Sequence, residues 1–262
     1  MKPIFEERCF VSAGEANPEQ QLSLPVLVAK FIDIATAHAN SLGIGNPSMK
    51  DLHAGWVLSR VTVEMDSYPS VNDDYVVSTW ISSFNRHFSE REFMVSSPDG
   101  RIYGYARTIW MVMSIIDHTN VGLGHFNISH DLIPGSSAPI ARQGKHMPIC
   151  LPEEVEEAPK GALVADAPAV EYRFKYSDLD SYRHVNTVRY VNLLMNRFSL
   201  EEHDSLLVKR MELSFLHEAK YDMEVQILRY NESTHKSSFL MRSAHSQNLL
   251  FAKIELTERG NQ

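Results

Sequence analysis

Early in the chain the apolar Leu27, Phe31, Ile34 and Ala35, with His38, fall at the three- and four-residue spacing of one helix face. That spacing predicts a helix with one buried face. Pro25 suits its first turn and Gly43 its end, so the helix is expected over about 25–42. The stretch "EERCFVS" opens the chain ahead of it. Downstream the period shortens to two. In "VLSRVTVEM", Val57, Val61, Val63 and Met65 alternate with Arg60, Thr62 and Glu64, the pattern of a half-buried strand. "DYVVSTWISSF", "EREFMVSS" and "RIYGYARTIWMVM" follow, the last two joined by Pro98-Asp99-Gly100. In such a turn proline presets one dihedral and glycine permits a positive one.

The second half repeats the order. "EYRFKYS" (171–177) reads as a strand, and Val185, Val188, Val191, Leu194, Met195 and Phe198 mark the apolar face of a second helix. "KRMELSF", "DMEVQILRY", "KSSFLMRSA" and "LLFAKIELT" then alternate as strands, the last pair joined by "HSQN". Sliding the first half by 150 positions puts Arg60 on Arg210, Val61 on Met211, Val63 on Leu213 and Met65 on Phe215 without a gap. Between the copies, Pro134, Gly135, Pro139, Pro148, Pro152 and Pro159 and the acidic "EEVEEAPK" suit an exposed connection. A helix followed by long antiparallel strands buries its stripe best when the sheet wraps around it. The expected class is therefore α+β, a double hotdog: two tandem domains, each a long helix wrapped by an antiparallel sheet. The boundaries expected are 1–130, a linker over 131–168, and 169–262. A plain α+β domain pair is the alternative.

Composition narrows the function. The chain has 262 residues and a formal charge of -8, which argues against nucleic acid, since phosphate binding needs a basic surface. No apolar run is long enough to cross a bilayer, and "MKPIFEERCF" lacks a signal-peptide core. Cys9 and Cys150 form no CxxC pair, so reduced thiols in a cytoplasmic protein are the simpler reading. No HExxH, GxSxG, GxGxxG or P-loop occurs, and no metal or cofactor is expected. Trp56, Trp80 and Trp110 fall in strand patterns and read as core.

Candidate chemistry concentrates in "SDLDSYRHVNTVRY" (177–190). Asp180 reads first as a helix N-cap, with Asp178 competing for the role, and His184 alone reads as an ordinary polar residue. The combination says more. A histidine in a first helical turn sits at the positive end of the dipole, which favours its neutral form. A neutral imidazole can take a proton, and free N–H groups at the helix start can hold an oxyanion. Glu218, in "SFLHEAKYDMEV", ends the following strand, and its counterpart 150 positions earlier is Tyr68. Any chemistry therefore belongs to the second copy only.

The residues that carry a resemblance are now in view. "WVLSRVTVEMDSYPSVNDDYVVSTW" and "ARTIWMVM" in the first half, with "SDLDSYRHVNTVRYV" and "LSFLHEAKYD" in the second, resemble the acyl-acyl carrier protein (ACP) thioesterases, from about Ala35 to Glu224. These are double-hotdog enzymes of plants and bacteria that release free fatty acids. The third stretch is similar to the family's D-L-D-x-N-x-H-V-N-N-x-x-Y signature. The resemblance implies catalytic roles for Asp180, His184 and Glu218. Ala219 stands where a cysteine often follows the glutamate, so no cysteine nucleophile is implied. Tyr182 stands at the family's asparagine as an accessory position.

The implied reaction is cofactor-free hydrolysis of an acyl-ACP thioester, with Glu218 and His184 activating water and Asp180 holding the array. An oxyanion would meet backbone N–H groups near the second helix, and the acyl chain would lie in the N-terminal hotdog. An acidic carrier protein needs a local basic patch, for which Arg173, Lys175, Arg183, Arg189, Lys209 and Arg210 are the candidates. A homodimer is compatible with all of this. An acyl-CoA hotdog thioesterase and a non-catalytic acyl-binding protein stand as alternatives.

Overall fold

The computed structural model describes residues 2–49, 53–126, 129–135, 137–166 and 168–260. They divide into two compact units, Met1–Ala141 and Arg142–Gln262. The stretch 142–166, inside the expected connection, groups with the second unit.

In the first unit, β1 (Ile4–Phe10) leads to α1 (Leu24–Ser41), and then to β2 (Ala54–Met65), β3 (Asp74–Phe84), β4 (Ser89–Ser96) and β5 (Ile102–Ser114). The strands pair antiparallel in the order β1-β3-β4-β5-β2. Pro25 occupies the first turn of α1, and Gly43 just beyond its end adopts a φ of 73°, as the sequence predicts. Leu27, Phe31, Ile34, Ala35 and His38 are all buried. Phe31 packs on Phe93 of β4 at 4.8 Å between ring centroids, and burying one such ring stabilises by about 1.5–3 kcal/mol.

Register shifts modify the expected alternation, two of them at serines. On β2, Leu58 faces Trp110 and Arg60 faces Ile109, so Ser59 is an extra residue. On β3, Ile81 faces Arg91 and Ser83 faces Glu90, so Ser82 is extra. An inserted residue reverses which face the next side chains take. Val57 therefore does not share the inward face of Val61, Val63 and Met65. Thr62 is buried too. It lies opposite Arg107, which is bound to Glu92 at 2.7 Å. Glu92 in turn accepts from Ser137 and from the Ala138 N–H, so the segment around 137–140 covers this face of the sheet.

In the second unit, two short strands, β6 (Ile149–Cys150) and β7 (Leu163–Val164), pair parallel. Then come β8 (Val170–Arg173), α2 (Thr187–Met195), α3 (Leu200–Ser205), β9 (Leu206–Phe215), β10 (Glu224–Ser233), β11 (Lys236–Ser243) and β12 (Asn248–Glu258). The antiparallel order β9-β12-β11-β10-β8 repeats that of the first unit, read from the opposite end. Each unit is thus a hotdog, a helix against five antiparallel strands.

Two elements are shorter than the sequence predicts. The strand expected over 171–177 ends at Arg173, because Asp178 Oδ2 accepts the Lys175 N–H at 2.7 Å and turns the chain. The second helix is not one long element. It stops at Met195 with Asn196 as its cap, and α3 restarts at Leu200 behind a Ser199/Glu202 capping box. Arg229 secures the break, donating to the Arg197 carbonyl at 2.6 Å and lying 4.4 Å above the Phe198 ring.

Candidate active site

The loop between β8 and α2 is built from its own polar side chains. Asp178 is 1% exposed. Its carboxylate accepts from the Tyr172 hydroxyl at 2.9 Å and from the Lys175 N–H, and it pairs with Arg189 Nε at 2.6 Å. Its carbonyl accepts the Asn186 N–H at 2.8 Å. This aspartate anchors both ends of the loop through Oδ2 and its carbonyl, while Oδ1 has the Arg189 ion pair but no hydrogen-bond donor.

Asp180 does something different. It is not a helix cap: α2 starts at Thr187, and Asn186 caps it by accepting the Val188 N–H at 2.9 Å. Asp180 Oδ1 instead accepts the N–H groups of Tyr182 and His184, at 2.8 and 3.0 Å. The Asp180 N–H donates to the His184 carbonyl at 2.8 Å, and the Arg183 N–H donates to Asp180. The loop closes on itself, with Arg183 at a φ of 65°. His184 consequently lies before the helix rather than in its first turn, because the cap falls on Asn186. The dipole argument for a neutral His184 loses its geometric basis.

The same loop docks on the connection after β9. The Val185 N–H donates to the Ala219 carbonyl at 2.9 Å, and His184 bridges Lys220. This register brings the His184 Nε2 to 3.2 Å from the Glu218 Oε2. Both side chains are about one-third exposed, so they are paired and reachable from solvent. Glu218 itself sits three residues past the end of β9, in the connection to β10.

The sequence reading missed Tyr190. It is buried, with its ring 5.5 Å from that of Phe215 and 5.8 Å from that of Phe174. Burial, with the nearby Glu218 and Asp180 carboxylates, raises its pKa, and the Ala219 backbone opposes the rise. The signal was its place one turn after Asn186, on the same helix face.

Tyr182 is exposed, and no acceptor or donor among the described residues meets its hydroxyl. From Tyr182 to Arg189, every backbone N–H except that of Thr187 has an acceptor among the described residues.

The six basic candidates separate. Arg210 is buried and bound to Glu212 at 2.7 Å, and Arg189 is held by Asp178. Arg173 pairs with Asp222 and Glu224. Lys209 is half-buried. Lys175 and Arg183 are exposed, with no carboxylate partner among the described residues, on the loop that carries Asp180 and His184. Of the tryptophans, Trp80 is buried, whereas Trp56 and Trp110 are half-buried beside a cavity of the first unit.

The model of the acyl-ACP thioesterase N-terminal domain matches residues 2–118, and that of the C-terminal domain matches 162–258. The palmitoyl-acyl carrier protein thioesterase of Gossypium hirsutum is 23% identical over 86% of this chain, which spans 54% of that protein. The oleoyl-acyl carrier protein thioesterase 2 of Arabidopsis thaliana is 21% identical over 98% of this chain and 74% of its own length. Among solved structures, an acyl-ACP thioesterase from Bacteroides thetaiotaomicron superposes with a TM-score of 0.86 at 23% identity, covering 97% of this chain and 98% of its own. The 12:0-ACP thioesterase from Umbellularia californica gives 0.78 at 18% identity, covering 99% of each. These two carry the fold.

Proposed function

The chain belongs to the acyl-ACP thioesterase family, and from that premise we propose that it hydrolyses acyl-ACP thioesters, releasing a free fatty acid and the carrier protein's thiol. The observation that carries this reading is the 3.2 Å contact between His184 and Glu218 at a solvent-reachable position. Water held by this pair loses its proton to one of them and attacks the thioester carbon, and the proton passes on to the departing sulfur. With Nε2 turned to Glu218, the imidazole keeps Nδ1 for proton exchange. The Thr187 N–H is the donor we assign to the oxyanion. Asp180 touches neither the His184 ring nor Glu218 in any bond described. Its role is positioning: it shapes the turn that presents His184.

Lys175 and Arg183 are the cations we assign to carrier-protein docking. The free thiols of Cys9 and Cys150 support a reducing compartment, the cytoplasm. The test is release of free fatty acid from a panel of acyl-ACP thioesters. His184→Ala and Glu218→Ala should each lower kcat by about 100-fold or more with unchanged thermal melts. Full activity in either variant removes that residue from the mechanism. A wild type inactive on the whole panel, and still inactive as Tyr182→Asn, would favour the acyl-binding reading.

A further inference from the structure

The first unit contains a cavity walled by Ala35 and Ala39 of α1, Trp56 of β2, Trp110 of β5, and Ser89 and Arg91 of β4. Its recess measures about 420 Å³ with the open mouth included. Most of this wall is apolar. Thr36, Ser89 and Arg91 are the exceptions, and Arg91, the one charged group of the lining, is 4% exposed.

The partners of Arg91 leave it uncompensated. Its Nη1 donates to His38 Nδ1 at 2.8 Å and to Thr79 Oγ1 at 3.3 Å. Arginine can only donate, so Nδ1 accepts, and the His38 proton sits on Nε2, facing the Lys2 carbonyl at 3.2 Å. Burial first, and Arg91 second, hold this imidazole down at about 4, so it is neutral at pH 7. No carboxylate among the described residues pairs with Arg91, and no acceptor there meets its Nε or Nη2. Burial lowers the guanidinium only to about 10, which leaves it cationic. Neighbouring Arg107 shows the usual solution, with Glu90 at 3.0 Å and Glu92 at 2.7 Å. Ser89 lies two positions from Arg91 on the same strand face. It is buried too, and its hydroxyl has no partner among the described residues. Two sets of unused donors thus border one mostly apolar space.

We propose that this cavity binds an acyl chain carrying an oxygen function, a hydroxyl, oxo or carboxylate group, which accepts hydrogen bonds from Arg91 and Ser89. The inference rests on the acyl-thioester reading for the chain itself and adds the oxygen. An unsubstituted chain would leave Nε and Nη2 of a buried cation without acceptors, and a site built to hydrogen-bond its ligand discriminates against the analogue that lacks the partner.

The test is binding without hydrolysis. Non-hydrolysable amide analogues of acyl-pantetheine would be titrated while following tryptophan fluorescence, which Trp56 and Trp110 report from the wall. The probes are the dodecanoyl amide, its ω-carboxy derivative, and hydroxy and oxo derivatives substituted at successive carbons. At least one oxygenated probe should bind about tenfold tighter than the plain chain. Arg91→Met should abolish that preference while keeping affinity for the plain chain. If Arg91→Met does not fold, Ser89→Ala should reduce the preference several-fold. Equal or weaker binding of every oxygenated probe by the wild type overturns the proposal, as does a preference that survives both substitutions. The outcomes separate cleanly: preference without hydrolysis defeats only the enzymatic reading, and hydrolysis without preference defeats only this one.

Discussion

Two aspartates stand two positions apart in "SDLD", and the structure gives them unlike tasks. Asp178 is buried, accepts from a hydroxyl and an N–H and pairs with a guanidinium, whereas Asp180 orders the turn before His184. Asp178→Ala should therefore act on stability, by about 3 kcal/mol, because two donors lose their acceptor and Arg189 its counter-charge at a buried carboxylate. Urea denaturation measures it. Asp180→Ala should act on turnover, lowering kcat by about 100-fold with a smaller change in stability. Asp180→Asn keeps an oxygen at the Oδ1 position and should retain most activity. If Asn proves as damaging as Ala, the negative charge of Asp180 matters and the positioning role is wrong. The sequence could locate this pair but not divide its labour, because both residues are plausible caps of one helix. The cap fell on Asn186 instead, which moved His184 out of the first helical turn. The contact between His184 and Glu218 depends on loop-to-strand register, which no local spacing encodes.

Among the elements, α1 was the most legible, since period, first-turn proline and terminal glycine all agree with the helix seen. The same spacing also put His38 on the buried face, but gave no hint that its partner would be Arg91 of β4. Burial first, and that pairing second, make helix docking sensitive to pH. The His38 value of about 4 lies below its ordinary 6.5, so the folded state binds fewer protons between those limits. Its stabilising contribution is complete above pH 6.5 and is lost as pH falls towards 4, by at most about 3 kcal/mol. Denaturation curves across that range should show the loss in wild type and a flatter profile in His38→Gln. Equal slopes would mean that His38 is protonated in the fold. The second helix was less legible. Its apolar positions run on to Phe198, but period alone does not register the Asn196 cap or the Ser199 restart.

At the scale of the whole molecule, one strand order occurs twice, and the candidate catalytic residues occupy only the second copy. That duplication was legible without identity between the halves, because alternation and turn chemistry survive substitutions that erase sequence likeness. Charge is the other property at this scale. The chain carries -8 overall, so attraction of an acidic carrier has to be local. Lys175→Glu/Arg183→Glu should raise KM for acyl-ACP about tenfold at low ionic strength. The effect should shrink as salt increases, with kcat and the hydrolysis of a small acyl-pantetheine thioester unchanged. If KM is insensitive to the double reversal, the carrier docks elsewhere.

The extra residues Ser59 and Ser82 have a consequence for how such a protein diversifies. Each works like a frameshift confined to one strand: residues on its two sides obey opposite parities. Removing Ser59 would rotate Trp56 and Leu58 together out of the set they now belong to, and would replace them with their neighbours in a single event. Point substitution edits a cavity wall one side chain at a time. Loss or gain of one serine here exchanges a whole row, so descendants with the same sheet and the same helix could acquire a different interior by the smallest change in length that keeps the reading frame.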